Sequence, residues 1–144
     1  MSACEMPTTG TNPRDVEEIL TKSRTIAVAG ISGDPGKVSH EISAYLQENG
    51  FRLLPVNPKE SEILGEKVHS DIASLPEPPD VVLVFRKPDA VPEIVDAAIA
   101  RGAKAIWLQS GIVHNVAAAK AEAAGLRVVQ NRCIRTEHLN RRRP

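Results

Sequence analysis

Apolar and polar positions along this chain switch between two periods, and the switches mark out a series of helices and strands. In "PRDVEEILTKSR", from Pro13, the residues Val16, Ile19 and Leu20 share one helical face, with Asn12 placed as N-cap and Pro13 at the first helical position. "TIAVAGI" then reads as a buried strand. After it, Val38, Ile42, Tyr45 and Leu46 return at helical spacing until "ENG", where Gly50 suits the end of a helix.

The same scheme repeats through the rest of the chain. "FRLLPV", "VVLVF" (Val81 to Phe85), "AKAIWLQ" and "LRVVQ" are strands, one intervening helix carries Val91, Ile94, Val95 and Ala98, and another runs from about Val113 to Ala124. Around Lys67 and Val68 the pattern gives only a short edge strand before a proline-rich connection. Strands made almost wholly of Val, Ile, Leu and Ala are buried on both faces, as a parallel sheet between two helical layers requires. The expected fold is therefore α/β and doubly wound, a Rossmann-like, mostly parallel five-stranded sheet with helices on both faces.

Composition narrows the picture. At 144 residues with 42% hydrophobic content, the chain suits one domain: a flexible leader over residues 1–12, the folded domain over 13–138 and a basic tail over 139–144. Its 18 basic and 18 acidic side chains cancel, which argues against nucleic acid as the main partner; "NRRRP" reads as a solvated end or a small basic patch. No apolar run is long enough to span a bilayer, and the start lacks the features of a signal peptide. Cys4 and Cys133 lie far apart and suit reduced thiols, so a cytoplasmic location is expected.

In a doubly wound sheet, ligands sit beyond the carboxyl ends of the strands. After the first strand comes "GISGDPGK", where Gly30 can turn tightly, Gly33 exposes backbone N–H groups, and Gly36 lets a helix start near the sheet. The helix terminus contributes roughly half an elementary positive charge, Ser32 a hydroxyl and Lys37 an ammonium. A phosphate or pyrophosphate fits this turn; a tight turn without a ligand is the bland alternative. The glycines depart from both the dinucleotide and the P-loop spacings.

The second strand ends "PVNPK". An NAD site places an acidic residue about twenty positions after the glycines, whereas here Asn57 and Lys59 stand at the strand end. That exchange favours a phosphorylated ribose, as in NADP or coenzyme A, unless Lys59 is simply a solvated loop lysine. "FRKPDAVPE" adds Phe85 and the cations Arg86 and Lys87, and "LQSGIVHN" adds Leu108, Gln109, Ser110 and Gly111.

Read together, "VAGISGDPGKVSHEI", "LLPVNPKESEILGEKVHSDIASLPEPPDVVLVFRKPDAVPEIV", "GAKAIWLQSGI" and "NRCIRTEH" resemble the small stand-alone CoA-binding proteins. They are also similar to the CoA-binding domain of the succinyl-CoA synthetase alpha subunit and of related acyl-CoA ligases. The similarity covers about Arg24 to His138. It implies a CoA-binding domain in which Gly30, Ile31, Ser32, Gly33, Asp34 and Pro35 hold the CoA phosphates, Lys59 lies near the 3'-phosphorylated ribose, and Leu108 to Ser110 lie near the thiol end. The family often reads Asp-Arg-Cys where this chain has Asn131, Arg132 and Cys133, so no carboxylate role is carried over there. The ligases carry their phosphorylated histidine in a second domain, which the resemblance does not include.

The catalytic features are sparse. His40, His69, His114 and His138 lack metal-ligand spacing, and His114 with Asn115 suits a helix cap. Cys133 stands beside Arg132 and Arg135, cations that could activate a thiol, with Glu137 and His138 near in sequence; a small buried cysteine is the alternative. The expectation is a non-catalytic module for CoA or acyl-CoA, with no metal and with a homo-oligomer or separate protein as possible partner. An NADP-type oxidoreductase, a ligase-associated subunit and an interaction module with a vestigial site remain the alternatives.

Overall fold

The structure, a computed structural model, describes residues 6–142. Its elements run α1 (Pro13–Lys22), β1 (Thr25–Ala29), α2 (Val38–Glu48), β2 (Arg52–Val56), β3 (Glu62–Ile63), β4 (Glu66–Lys67), β5 (Val81–Val84), α3 (Val91–Arg101), β6 (Ala105–Leu108), α4 (Asn115–Ala123), β7 (Arg127–Val129) and α5 (Ile134–Arg142). Five strands form one parallel sheet in the spatial order β2-β1-β5-β6-β7. This is the expected α/β doubly wound sheet.

Alternation along β1 explains the two layers. Ile26 and Val28 pack with Val16 of α1, Ile42 and Leu46 of α2 and Ile134 of α5. Ala27 and Ala29 pack with Val91, Val95 and Ala98 of α3 and with the small face of α4, Ala117, Ala118 and Ala121. All five β1 residues are buried. A strand covered on both faces can hold a polar side chain only where that side chain finds a partner, as Thr25 does at the amino end, and the rest of β1 is a continuous apolar run.

At the amino ends of the strands, Asp80 ties three of them together. Its carboxylate accepts from the backbone N–H groups of Arg24 (2.7 Å) and Thr25 (3.1 Å), the Thr25 hydroxyl accepts from the Asp80 N–H (2.9 Å), and Lys104 lies 3.4 Å away. Partial burial pushes the Asp80 pKa up, but the two backbone donors and Lys104 outweigh it and hold the carboxyl below its usual range.

Several local expectations are corrected by the packing. Val38 is 62% exposed, and the buried face of α2 is Ser39, Ile42, Ser43 and Leu46. Two serines lie inside, where their small side chains fit between α2 and the sheet: Ser39 Oγ accepts from the Ser32 N–H (3.0 Å), while Ser43 Oγ has no partner among the described residues. The short edge strand is instead half of an antiparallel β3–β4 hairpin outside the main sheet, and His69, just after the hairpin, forms an isolated parallel bridge with Val56. α5 continues through Arg142, so part of the segment read as a basic tail is helical, and Arg141 pairs with Glu17 (3.0 Å) and Glu137 (3.1 Å). The part of the leader that is described is fastened to the domain: Gln130 N–H donates to the Gly10 carbonyl (3.0 Å) and Thr8 N–H to Asn115 (2.8 Å). Residues 1–5 and 143–144, with Cys4, lie outside the described residues.

Replacing Asp80 with alanine leaves the partly buried Thr25 N–H and the exposed Arg24 N–H without this acceptor, and is expected to lower the unfolding free energy by about 1–3 kcal/mol at neutral pH. Because the folded-state pKa is depressed, this contribution is complete above the ordinary aspartate range and fades as pH falls through the folded value. Denaturant titrations of both chains at pH 7 and in acid should show the gap between them closing in acid; a constant gap would contradict the assignment.

Candidate functional site

The connection after β1 leads to β2 on one side, and the chain then crosses to β5 on the other. A crevice therefore opens beyond the carboxyl ends of β1 and β5. Gly30 and Phe85 form its floor. Gly30 has φ +88°, and a Cβ there would stand 2.8 Å from the Phe85 carbonyl oxygen and 2.8 Å from Cδ of Arg86. Only glycine fits both the conformation and the space.

The turn from Gly30 to Lys37 is held by its own groups. Ser32 Oγ accepts from the Asp34 N–H (3.0 Å), Asp34 Oδ1 from the Gly36 N–H (2.9 Å) and the Asp34 carbonyl from the Lys37 N–H (3.0 Å). With the Ser32 N–H given to Ser39, the N–H groups of Ile31 and Gly33 are the ones in this turn with no acceptor among the described residues. The Ile31 side chain is fully buried, so it can offer a ligand only its backbone. Gly36 faces solvent rather than the sheet, and its close neighbour is Asp34, so the expected role in bringing the helix near the sheet is not the one it plays.

Asn57 locks the end of β2 to this turn. Its Nδ2 donates to the Ile31 carbonyl (2.8 Å) and its Oδ1 accepts from the Lys59 N–H (2.8 Å). Lys59 is exposed, and no carboxylate pairs with Lys59, Arg86 or Lys87 among the described residues. The β2 end is not free of carboxylates, however. A Cβ on Gly33 would lie 2.9 Å from Glu60 Oε2, so Glu60 reaches the glycine turn from a position just past Lys59. Nothing local in the sequence signals this, because the contact depends on how the β2 loop folds back.

Two cavities flank Arg86. One, about 490 Å³, brings together Gly30, Asn57, Lys59 and Arg86 with Asp71 and Glu93, two acids the sequence reading did not single out. The other, about 480 Å³, brings together Phe85, Arg86, Gln109 and Ser110 with Val38 and Cys133. Ser32, Gly33, Asp34, Pro35 and Lys37 stay on the turn outside both, and Leu108 is buried with its side chain in the core. Gly111 N–H donates to Asn131 Oδ1 (2.7 Å), so the acceptor at the β7 end shapes the β6 turn, and a carboxamide supplies it.

The Cys133 thiol is held below the ordinary cysteine range, but not by the neighbouring arginines. Partial burial pushes it up; hydrogen bonds from the Thr136 N–H and hydroxyl, the Gln109 side chain and the Arg135 N–H outweigh that. Arg132 pairs with Glu137 (3.3 Å) and Arg135 with Glu41 (2.9 Å), which spends their charge elsewhere. His138 Nδ1 lies 2.6 Å from the Tyr45 hydroxyl, so its ring bridges α5 to α2. His114 caps α4 as expected, accepting from the Ala117 N–H (3.1 Å). Among the described residues no cluster of His, Cys, Asp and Glu could hold a metal, and no helix is long and apolar enough to cross a membrane.

Comparison with known proteins points to one group. A family profile described as CoA binding domain matches residues 24–139. The uncharacterized protein YneT of Bacillus subtilis is 34% identical over 124 residues, covering 86% of this chain and 92% of that protein. A solved structure of a hypothetical protein from Pyrococcus horikoshii superimposes with a TM-score of 0.87 at 38% identity, covering 94% of this chain and 96% of the other. The alpha subunit of ADP-forming acetate–CoA ligase I from Pyrococcus furiosus is 30% identical over 95 residues, which cover 62% of this chain but only 21% of that subunit.

The crevice floor generates a direct test. Gly30→Ala places a methyl group against the Phe85 carbonyl at a backbone angle alanine resists, and is expected to destabilise the fold by about 2 kcal/mol. Chemical denaturation that shows no loss would mean the turn relaxes freely, and the close approach of β1 and β5 would not be fixed by this residue.

Proposed function

The chain belongs to the CoA-binding domain family, and from that premise we propose that it is a non-catalytic module that binds coenzyme A or an acyl-CoA across the crevice between β1 and β5. The observation that carries this reading is the convergence around one switch point of two N–H groups, at Ile31 and Gly33, and three cations, Lys59, Arg86 and Lys87, that have no acceptor or carboxylate partner among the described residues. A diphosphate needs donors with no internal partner and positive charge that is not already neutralised. The glycine turn would receive the diphosphate and Lys59 the 3'-phosphate. The adenosine part suits the cavity beside Lys59, and the pantetheine arm suits the second cavity, past Arg86 toward Gln109 and Ser110.

A second reading is favoured by the ligase relatives: the module would present CoA to a separate catalytic protein. The chain spans about a fifth of the Pyrococcus furiosus ligase subunit, so that enzyme's activity is not assigned to it.

Calorimetric titration of the purified chain with CoA, dephospho-CoA and NADP at one fixed salt concentration tests the first reading. CoA should bind, and loss of the 3'-phosphate or the change Lys59→Ala should each weaken binding by about tenfold or more. Equal affinity for CoA and dephospho-CoA would remove Lys59 from the site. Heat with NADP alone would favour the oxidoreductase reading.

A further inference from the structure

The thiol of Cys133 is not used by the reading above, yet it stands in the wall of the second cavity. It is unpaired with another cysteine among the described residues. The Cys133 carbonyl accepts from the Glu137 N–H (3.0 Å), which puts the residue at the amino end of α5, whose positive dipole end favours a thiolate.

A second observation concerns Gln109. This side chain is only 5% exposed, and its Oε1 accepts from the Ile134 N–H (2.8 Å). No oxygen or nitrogen accepts from its Nε2 among the described residues, and Gln109 and Cys133 line the same cavity wall. An amide donor with no oxygen or nitrogen acceptor in the protein, set in a cavity wall, suits a thiolate or an acceptor supplied by a ligand. Arg86 and Lys87, unpaired and on the rim of the same cavity, favour an anion there as well.

We propose that Cys133 is a covalent docking point for the thiol end of coenzyme A, formed by exchange with a coenzyme A disulfide. The inference rests on the CoA-binding reading. In the step, the Cys133 thiolate attacks one sulfur of the disulfide, a new S–S bond forms between Cys133 and that half, and the old S–S bond breaks. The other half leaves as CoA thiolate and takes a proton from water. Cys133 is oxidised, the departing CoA is reduced, and the oxidant is the disulfide itself. Gln109 and the α5 amides hold the thiolate before attack, and the crevice holds the nucleotide end so that the sulfurs meet as in an intramolecular reaction.

The experiment incubates the reduced full-length chain with coenzyme A disulfide, or with glutathione disulfide at the same concentration, and follows intact mass with peptide mapping. The expected result is one CoA on Cys133, reversed by dithiothreitol, forming roughly a hundredfold faster than the glutathione adduct. Equal rates with the two disulfides would overturn the proposal, since they would describe an exposed thiol with no docked ligand. Absence of any adduct on Cys133 at saturating coenzyme A disulfide would overturn it too. Calorimetry of the reduced chain with reduced CoA keeps the two readings apart. Heat without selective adduct formation removes only the covalent step, whereas no heat together with unselective modification removes the binding site and this proposal with it.

Discussion

Everything at the site follows from β1 being hydrogen-bonded on both sides and covered on both faces. Paired in parallel with β2 and β5 and buried at all five positions, it cannot shift or tilt without breaking two ladders and two packing layers. The chain leaves this strand abruptly over the Phe85 carbonyl, where Gly30 turns with positive φ. From that one forced turn come the position of the glycine loop, the start of α2 and the crevice between diverging connections.

Much of this was legible in the sequence for a physical reason. Parallel strands buried on both sides require unbroken apolar runs, so "TIAVA", "VVLV" and "AIWL" declare themselves, and the glycines between them declare the turns. Four of the residues expected at the switch point, Gly30, Asn57, Lys59 and Arg86, line one cavity, because the ends of strands are fixed once the sheet is. The family match over residues 24–139 agrees with the resemblance read from the same blocks.

What stayed hidden depends on proximity between distant segments. Asp80 and Thr25 are 55 positions apart and meet only because β1 and β5 are neighbours. Glu60 on Gly33, Asn131 on Gly111 and Arg141 on Glu17 are contacts of the same kind. Ser39 and Ser43 misled the reading of α2 in another way: hydropathy scores a serine as polar, whereas both are buried against the sheet, where small size decides. Cys133 misled through its neighbours, since adjacency to two arginines in sequence says nothing about where their guanidinium groups go.

The self-bonded turn from Ser32 to Lys37 has a further consequence. Its shape is fixed by Ser32, Asp34 and Ser39 whether or not anything occupies the crevice. A ligand arriving there meets a preorganised receptor and pays little conformational entropy to order the loop, so its affinity is set by contacts rather than by folding. For the diphosphate proposed to bind there, such a turn would discriminate between anions of different size, because it would not remould itself around them.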